Sequence, residues 1–256
     1  MSGPRGSTPP AGTAGRTRVK ICGITRAADA RAALDAGADL LGFVLAESPR
    51  RLTPERVRVI REEEDVPAER SVVVLIDPSD EELAVAIARS GAGLVQLHGS
   101  EPPERCARSP VPVIKAFRVG EGWPAASLDL YPTWGHLLDA RSPRGAGGTG
   151  VCFDWTAVGR ALGARGASAS SQPPAADAAK PLLFLAGGLT PKTVALGMRV
   201  LAPDVVDVSS GVERTPGMKD AKKIRAFIAA VRAADASDPA AAPPAFLHDP
   251  GPGGRA

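Results

Sequence analysis

The stretch that decides the fold is residues 19–25, "VKICGIT". It begins as a buried β-strand, with the β-branched residues Val19 and Ile21, and it ends at Cys22-Gly23 before Thr25, a residue type that caps helices. The first strand of a dinucleotide-binding open sheet would be followed by a glycine-rich fingerprint, and Cys-Gly-Ile-Thr stands in that place. The stretch therefore favours another α/β arrangement, and it puts a thiol at the end of the first strand.

Short apolar or β-branched runs recur along the chain after this strand. They lie at residues 40–45, 71–76, 93–98, 111–117, 136–140, 181–186 and 204–208. Continuous apolar runs of this length are typical of parallel strands covered on both faces. Eight strand–helix units in about 215 residues predict one closed (β/α)₈ TIM barrel, with a doubly wound open sheet as the alternative.

Helix signals fill most of the gaps between these runs. Gly37 predicts a helix end, Ser79 and Glu82 have capping-box spacing, and Thr53 and Thr190 each precede a proline as an N-cap would. One helix face is predicted to consist of Ile224, Phe227, Ile228 and Val231. The gap between the fifth and sixth strands contains two prolines and carries the weakest helix signal.

Three segments have compositions that cannot bury enough apolar surface to fold. Residues 1–17 and 235–256 are predicted to be disordered tails, with a transit peptide as the alternative for the first. Residues 166–180 are predicted to form a flexible insertion between the sixth helix and the seventh strand. The barrel is therefore expected over residues 18–234.

Composition argues against several classes of partner. The net charge of +3 and an aromatic content of 4% do not favour nucleic acid, and no apolar run approaches the roughly 20 residues of a membrane helix. Three widely spaced cysteines do not fit a disulfide framework or a zinc ribbon, so we expect a protein of the reducing cytoplasm.

In a barrel of this kind the active site lies where the strands end at their carboxyl termini. Cys22 ends the first strand, where a thiolate could act as base or nucleophile, although most cysteines are simply small buried side chains. Asp139 ends the sixth strand, and a carboxylate there is costly to bury without a partner. The glycine- and arginine-rich residues 141–150 follow it and are predicted to fold over a ligand.

Small residues follow the seventh and eighth strands. Gly187 and Gly188 come after the seventh, and Ser209, Ser210 and Gly211 come after the eighth. These are the two loops at which such barrels commonly bind phosphate, because glycine lets backbone N–H groups converge on an anion. We therefore expect a phosphorylated small molecule as the ligand.

Two further side chains are expected at the same end of the barrel. Arg51, one of two adjacent arginines after the second strand, could hold a carboxylate bidentately, although a surface role is the ordinary one for arginine. His98 ends the fourth strand, where a lone histidine is expected to be structural or to orient a neighbour as a hydrogen-bond donor, and not to bind a metal. Strand ends beside it lack the His and Cys cluster of a metal site, so no metal is predicted.

Taken in order, the motifs of the chain resemble one family. "VKICGIT", "LGFVLAESPRRLTPE", "VQLHG", "VIKAF", "LLDARSPRGAGGTG", "AGGLTP" and "DVSSGVERTPGMKD" are similar to those of the N-(5′-phosphoribosyl)anthranilate isomerases of tryptophan biosynthesis. The similarity runs from about Val19 to about Val231 through all eight units. The departures are Ala186 in place of a common serine, the weak fifth helix, the insertion and the tails.

The resemblance implies an Amadori rearrangement of an aminoaldose to an aminoketose without a cofactor. It makes Cys22 the general base and Asp139 the general acid, and it assigns the anthranilate carboxylate to Arg51. The implied substrate-binding residues also include His98, Gly187, Gly188, Asp207, Ser209, Ser210 and Gly211.

Several alternatives stay open at this point. A dual-substrate isomerase that also serves histidine biosynthesis, or a phosphate-binding barrel without turnover, would share the fold. The sister isomerase of histidine biosynthesis has aspartate where Cys22 stands, and an indole-forming synthase would have lysines at the ends of early strands. We expect a monomer or a homodimer.

Overall fold

Eight parallel strands close into a barrel in the computed structural model, which describes residues 16–120, 123–139, 155–168 and 180–237. Each strand pairs in parallel with the next, and β8 pairs with β1 to close the ring. The strands are β1 (Arg18–Cys22), β2 (Leu40–Val44), β3 (Ser71–Leu75), β4 (Leu94–Leu97), β5 (Val113–Arg118), β6 (Gly135–Asp139), β7 (Leu182–Ala186) and β8 (Val205–Val208). The predicted TIM barrel is confirmed, and the open-sheet alternative is wrong.

Helices connect most of the strands on the outside of the barrel. They are α1 (Ala27–Asp35), α2 (Pro54–Glu63), α3 (Asp80–Ser90), α4 (Pro103–Ala107), α5 (Trp155–Ser168), α6 (Val194–Leu201) and α7 (Ala221–Ser237). Between β5 and β6 the chain forms a 3₁₀-helix, Ala125–Leu130, where the two prolines predict the weakest helix. Two short strands, β9 (Glu213–Thr215) and β10 (Met218–Lys219), pair antiparallel after β8 and were not predicted.

The helix-capping predictions hold at most positions. The Thr53 hydroxyl accepts the Arg56 N–H at 3.2 Å, and Ser79 and Glu82 form a reciprocal capping box. Gly37 follows the end of α1 with a φ of +93°. The prediction at Thr190 is wrong, because a hydrogen-bonded turn occupies the next residues and α6 begins at Val194.

The core consists of two apolar layers separated by the strands. The outer layer lies between strands and helices and includes the predicted α7 face, Ile224, Phe227, Ile228 and Val231. The inner layer fills the barrel from Leu40, Val72, Leu94, Ile114, Ala116, Leu137, Phe184, Ala186 and Val205. Because each fully buried large side chain contributes about 1.5–3 kcal/mol, these layers together supply the main driving force for folding.

Order extends slightly beyond the predicted limits of the barrel. Thr17 donates its hydroxyl to Asp235 Oδ1 at 2.7 Å, so the start of β1 is tied to the last turns of α7. Most of the predicted tails, the loop at 141–150 and most of the predicted insertion at 166–180 lie outside the described residues. No helix in the described ranges is both long enough and apolar enough to cross a bilayer.

Candidate active site

The carboxyl ends of β1, β4 and β6 bring three of the predicted side chains to one end of the barrel. Cys22 and Asp139 are the last residues of β1 and β6, and both are buried. His98 follows β4, and its Nε2 lies 3.1 Å from Asp139 Oδ2. Since all strands run in parallel, the thiol, the imidazole and the carboxyl group share the same mouth of the barrel.

Cys22 occupies space that exists because its neighbour on β2 is glycine. Cys22 pairs with Gly42 in the β1–β2 register, and a Cβ atom at Gly42 would lie 2.7 Å from the Cys22 sulfur and 3.1 Å from Lys20 Nζ. Burial raises the pKa of the Cys22 thiol, and this effect outweighs the opposing influence of the Lys20 and Lys219 ammonium groups. The resting side chain is therefore a thiol at neutral pH.

A polar layer lies beneath Cys22 inside the barrel. Lys20 is fully buried, and its Nζ donates to Gln96 Oε1 at 2.9 Å and to Asp207 Oδ2 at 3.1 Å. Burial would lower the pKa of Lys20, but the Asp207 carboxylate and the Cys22 sulfur raise it above its usual value. Asp207, predicted to bind substrate, thus meets Lys20 through one oxygen, while its Oδ1 has no hydrogen-bond partner among the described residues.

The polar layer continues from Gln96 to Asp139. An ammonium group only donates, so Lys20 must meet the oxygen of the Gln96 amide, and the amide nitrogen then lies 2.9 Å from His98 Nδ1. His98 Nδ1 is therefore the acceptor, and His98 Nε2 donates its proton to Asp139 Oδ2. One carboxyl oxygen of Asp139 is held in this way, which leaves the other for a ligand.

The hairpin of β9 and β10 completes the floor beside Cys22. Lys219 Nζ donates to the Cys22 carbonyl at 2.5 Å, to the Ser209 carbonyl at 3.1 Å and to Glu213 Oε1 at 3.0 Å. Glu213 in turn accepts two hydrogen bonds from the Arg50 guanidinium, at 2.7 and 2.6 Å. The end of β1, the loop after β2 and the loop after β8 are thereby joined by one ionic network.

The structure separates the two adjacent arginines after β2. The Arg50 side chain lies over Gly23, the residue that follows Cys22, where a Cβ atom would collide with it. Arg51 points away: it pairs with Glu47 at 2.9 Å, and 60% of its side chain is exposed. The predicted carboxylate-binding residue Arg51 is therefore not brought to Cys22, whereas Arg50 is.

The predicted phosphate-binding residues lie together on neighbouring loops. Gly187 and Gly188 adopt left-handed φ angles of +87° and +66°, and the Cβ direction at Gly188 faces open space. Ser210 and Gly211 belong to a 3₁₀-helix after β8, and a Cβ atom at Gly211 would collide with the Leu189 carbonyl after β7. The backbones of these two loops are therefore in close contact, with open space beside Gly188, as an anion site built from backbone N–H groups requires.

Comparison with known proteins agrees with this geometry. The family model for N-(5′-phosphoribosyl)anthranilate (PRA) isomerase matches residues 19–230. The chain belongs to this family. The PRA isomerase of Geobacter metallireducens is 42% identical over 217 residues, which are 84% of this chain and 99% of that protein.

Solved structures of PRA isomerases have the same fold. The crystal structure of the enzyme from Thermotoga maritima matches with a TM-score of 0.71 and 36% identity, over 85% of this chain and 99% of that chain. A PRA isomerase in complex with reduced 1-(o-carboxyphenylamino)-1-deoxyribulose 5-phosphate matches with a TM-score of 0.68 and 34% identity, again over 85% and 99% of the two chains.

Several residues of this PRA isomerase site were not predicted from the sequence. Lys20, Gln96, Arg50, Glu213 and Lys219 were given no role, although all but Arg50 are buried. A signal was present for Lys20 and Gln96, because each is a polar residue in the middle of an otherwise apolar strand. For Lys219 no signal existed, since its position depends on a hairpin of five residues and a turn.

Proposed function

We propose how this protein performs the reaction of its family, the isomerisation of N-(5-phospho-β-D-ribosyl)anthranilate in tryptophan biosynthesis. The product is 1-(2-carboxyphenylamino)-1-deoxy-D-ribulose 5-phosphate. The observation that carries the assignment of roles is the placement of Cys22 and Asp139 at one mouth of the barrel, buried and in contact with a single polar layer. Cys22 acts as general base and Asp139 as general acid.

The first step uses the oxygen of Asp139 that His98 leaves free. Protonated Asp139 gives its proton to the furanose ring oxygen, the C1′–O bond breaks, and the nitrogen lone pair forms the Schiff base. His98 holds the carboxyl group through its other oxygen, at 3.1 Å, so the acid is fixed in orientation before the substrate binds.

The second step uses Cys22 as thiolate. The thiolate removes the proton from C2′, the C–H electron pair forms the C1′–C2′ double bond, and the Schiff-base nitrogen becomes an amine. The resulting enolamine passes its hydroxyl proton to C1′ through solvent and becomes the ketone. At the end Cys22 carries a proton that Asp139 has lost, so the isomerisation needs no oxidant or cofactor.

Two anchors hold the substrate between base and acid. The phosphate is surrounded by Gly187, Gly188, Ser209, Ser210 and Gly211, which is supported by the close contact of the loops after β7 and β8 and the open space beside Gly188. For the anthranilate carboxylate we assign Arg50 in place of Arg51, because Arg50 is the arginine that lies beside Cys22. Glu213 accepts two hydrogen bonds from the Arg50 guanidinium and keeps this side chain extended over Gly23.

A turnover assay tests this proposal. Purified protein supplied with phosphoribosylanthranilate should form the aminoketose, whereas the aminoaldose of histidine biosynthesis should not be converted. Conversion of both compounds would support a dual-substrate enzyme, and conversion of neither would leave a phosphate-binding barrel. We also propose a cytoplasmic location, consistent with the free thiols of Cys22 and Cys106, and a monomeric or homodimeric state that sedimentation can distinguish.

A further inference from the structure

We propose that Lys20 is a positioning residue for the base: its buried ammonium group is the fixed counter-ion that stabilises the Cys22 thiolate. This inference rests on the role of Cys22 proposed above. Lys20 lies two residues before Cys22 on the same strand, so both side chains point into the barrel. A Cβ atom at Gly42 of β2 would lie 2.7 Å from the sulfur and 3.1 Å from Lys20 Nζ, so the thiol and the ammonium group line the same gap.

Lys20 has one N–H donor left for the Cys22 sulfur, and the other nearby cations have other partners. An ammonium group has three N–H donors, and Lys20 uses two of them on Gln96 and Asp207, so the third is available to the Cys22 sulfur. Lys219 directs its donors to two backbone carbonyls and Glu213. Arg50 directs two of its five N–H donors to the same glutamate, and the proposed mechanism gives the anthranilate carboxylate the others.

Because the site is buried, the Cys22 thiolate depends on Lys20 for its stability. Lys20 is fully buried and Cys22 is 8% exposed, so water cannot solvate a thiolate there. The charged groups that face Cys22 are Lys20 on its own strand, Asp207 on β8, Lys219 on β10 and Arg50 after β2. Asp207 keeps Lys20 charged but repels the thiolate, so the two members of this ion pair act on Cys22 in opposite directions.

Alkylation of Cys22 by iodoacetamide measures the thiolate directly and does not depend on turnover. Peptide mass spectrometry follows its rate against pH in the wild type, Lys20→Met and Asp207→Asn. We expect the midpoint to rise by about 1–3 pH units in Lys20→Met and to fall in Asp207→Asn. Cys106 in α4 is the internal reference, because its charged neighbours are Lys115, Glu101 and Arg105, and its profile should not move.

Turnover provides the second measurement. In Lys20→Met, kcat at pH 7 should fall at least about tenfold and recover as pH is raised, with little change in KM because Lys20 is fully buried. A purely structural defect would not be restored by pH.

Each outcome decides the proposal. An unchanged Cys22 midpoint in folded Lys20→Met overturns it. If Lys20→Met does not fold, Lys20→Gln takes its place, because it removes the charge but keeps a polar group for Gln96 and Asp207, and an unchanged midpoint in that variant overturns the proposal in the same way. Cys22→Ala separates this question from the proposed function: full turnover in that variant removes Cys22 as the base, whatever Lys20 does to its titration.

Discussion

In the proposed mechanism, the thiol of Cys22 and the carboxyl group of Asp139 need opposite protonation states at the start of a turnover. The site treats them differently. Cys22 lies beside cations, whereas Asp139 is buried and accepts a hydrogen bond from His98 Nε2, whose role as donor follows from the Lys20–Gln96 contact. Burial nevertheless raises the pKa of Cys22, so the proposed base depends on these cations to become the thiolate that accepts the substrate proton.

Removing either group should stop the reaction without unfolding the barrel. We expect Cys22→Ala and Asp139→Asn each to lower kcat by at least about 10²-fold, the usual contribution of a positioned base or acid. Steady-state kinetics on proteins with native circular dichroism measure this. Cys106→Ala, which removes a buried thiol from α4, should retain turnover. Near-normal kcat in either site variant would rule out the assigned mechanism.

The neighbouring arginines offer a matched pair of variants. Arg50→Ala should raise KM for phosphoribosylanthranilate by roughly 10-fold or more, because a charge-assisted bidentate contact contributes about 1.5–3 kcal/mol. Arg51→Ala should change KM less than twofold, since its side chain is exposed and paired only with Glu47 among the described residues. The two constants are compared under identical conditions. The reverse result would restore Arg51 to the carboxylate site.

At the scale of elements, Lys115 of β5 fastens the loops of two neighbouring units. Its Nζ donates to the Gly99 carbonyl at 2.8 Å and to Glu101 Oε2 at 2.7 Å. Glu101 also accepts the backbone N–H groups of Asp77 after β3 and Gly99 after β4. Both charges are almost fully buried, so a single strand residue fixes the backbone that leads from β4 past His98.

Glu101→Gln should destabilise the protein, because it leaves the buried Lys115 without a charged partner. We expect the free energy of unfolding to fall by about 3 kcal/mol at pH 7, as when one partner of a buried pair is removed. Burial opposes the charge on Glu101, but Lys115 and the backbone donors hold its pKa below the usual value. Its stabilising contribution is therefore present above about pH 4.3, the pKa of an unfolded glutamate, and is lost as pH falls through the lower folded value.

Denaturant unfolding at pH 7 and pH 3 measures both effects. The difference in unfolding free energy between the wild type and Glu101→Gln should shrink at pH 3. Glu104→Gln, which changes an exposed residue in the first turn of α4, is the control and should leave the unfolding free energy unchanged at both pH values. A constant difference across pH would show that the loss comes from packing and not from the ion pair.

Elements that depend on local apolar runs were predictable, and those that depend on distant contacts were not. All eight strands of the barrel were predicted from such runs. The capping residues of α2 and α3 were predicted from residue type and spacing, which are also local. The β9–β10 hairpin has mostly polar residues, and its place is set by the contacts of Lys219 with β1 and Glu213. No periodicity in the local sequence predicts those contacts.

At the scale of the whole molecule, closure of the barrel creates the site. Lys20 meets Gln96 from 76 residues away and Asp207 from 187 residues away. The sequence shows a polar residue inside each of three buried strands, and burial requires that each has a partner. Which residues become partners is decided only when β8 pairs with β1, with Lys20 opposite Asp207 in the register.

The same closure defines a face of the barrel that should tolerate large changes. α5 ends at Ser168 and β7 begins at Leu182, so the chain between them joins a helix to the amino end of a strand. Loops of that type lie on the face opposite the active site, where they serve stability. The composition of residues 169–179 offers little apolar surface to bury.

Replacing residues 169–179 by a short Gly-Ser link should therefore leave the enzyme intact. Each halving of a flexible loop changes its closure entropy by only about 0.6 kcal/mol. We expect kcat/KM within about threefold of the wild type and an unfolding free energy within about 1 kcal/mol. Steady-state kinetics and denaturant unfolding of the shortened protein measure the two quantities. A large loss of turnover with an unchanged unfolding free energy would mean that this segment reaches the substrate or a partner. The segment would then not be confined to the face opposite the active site.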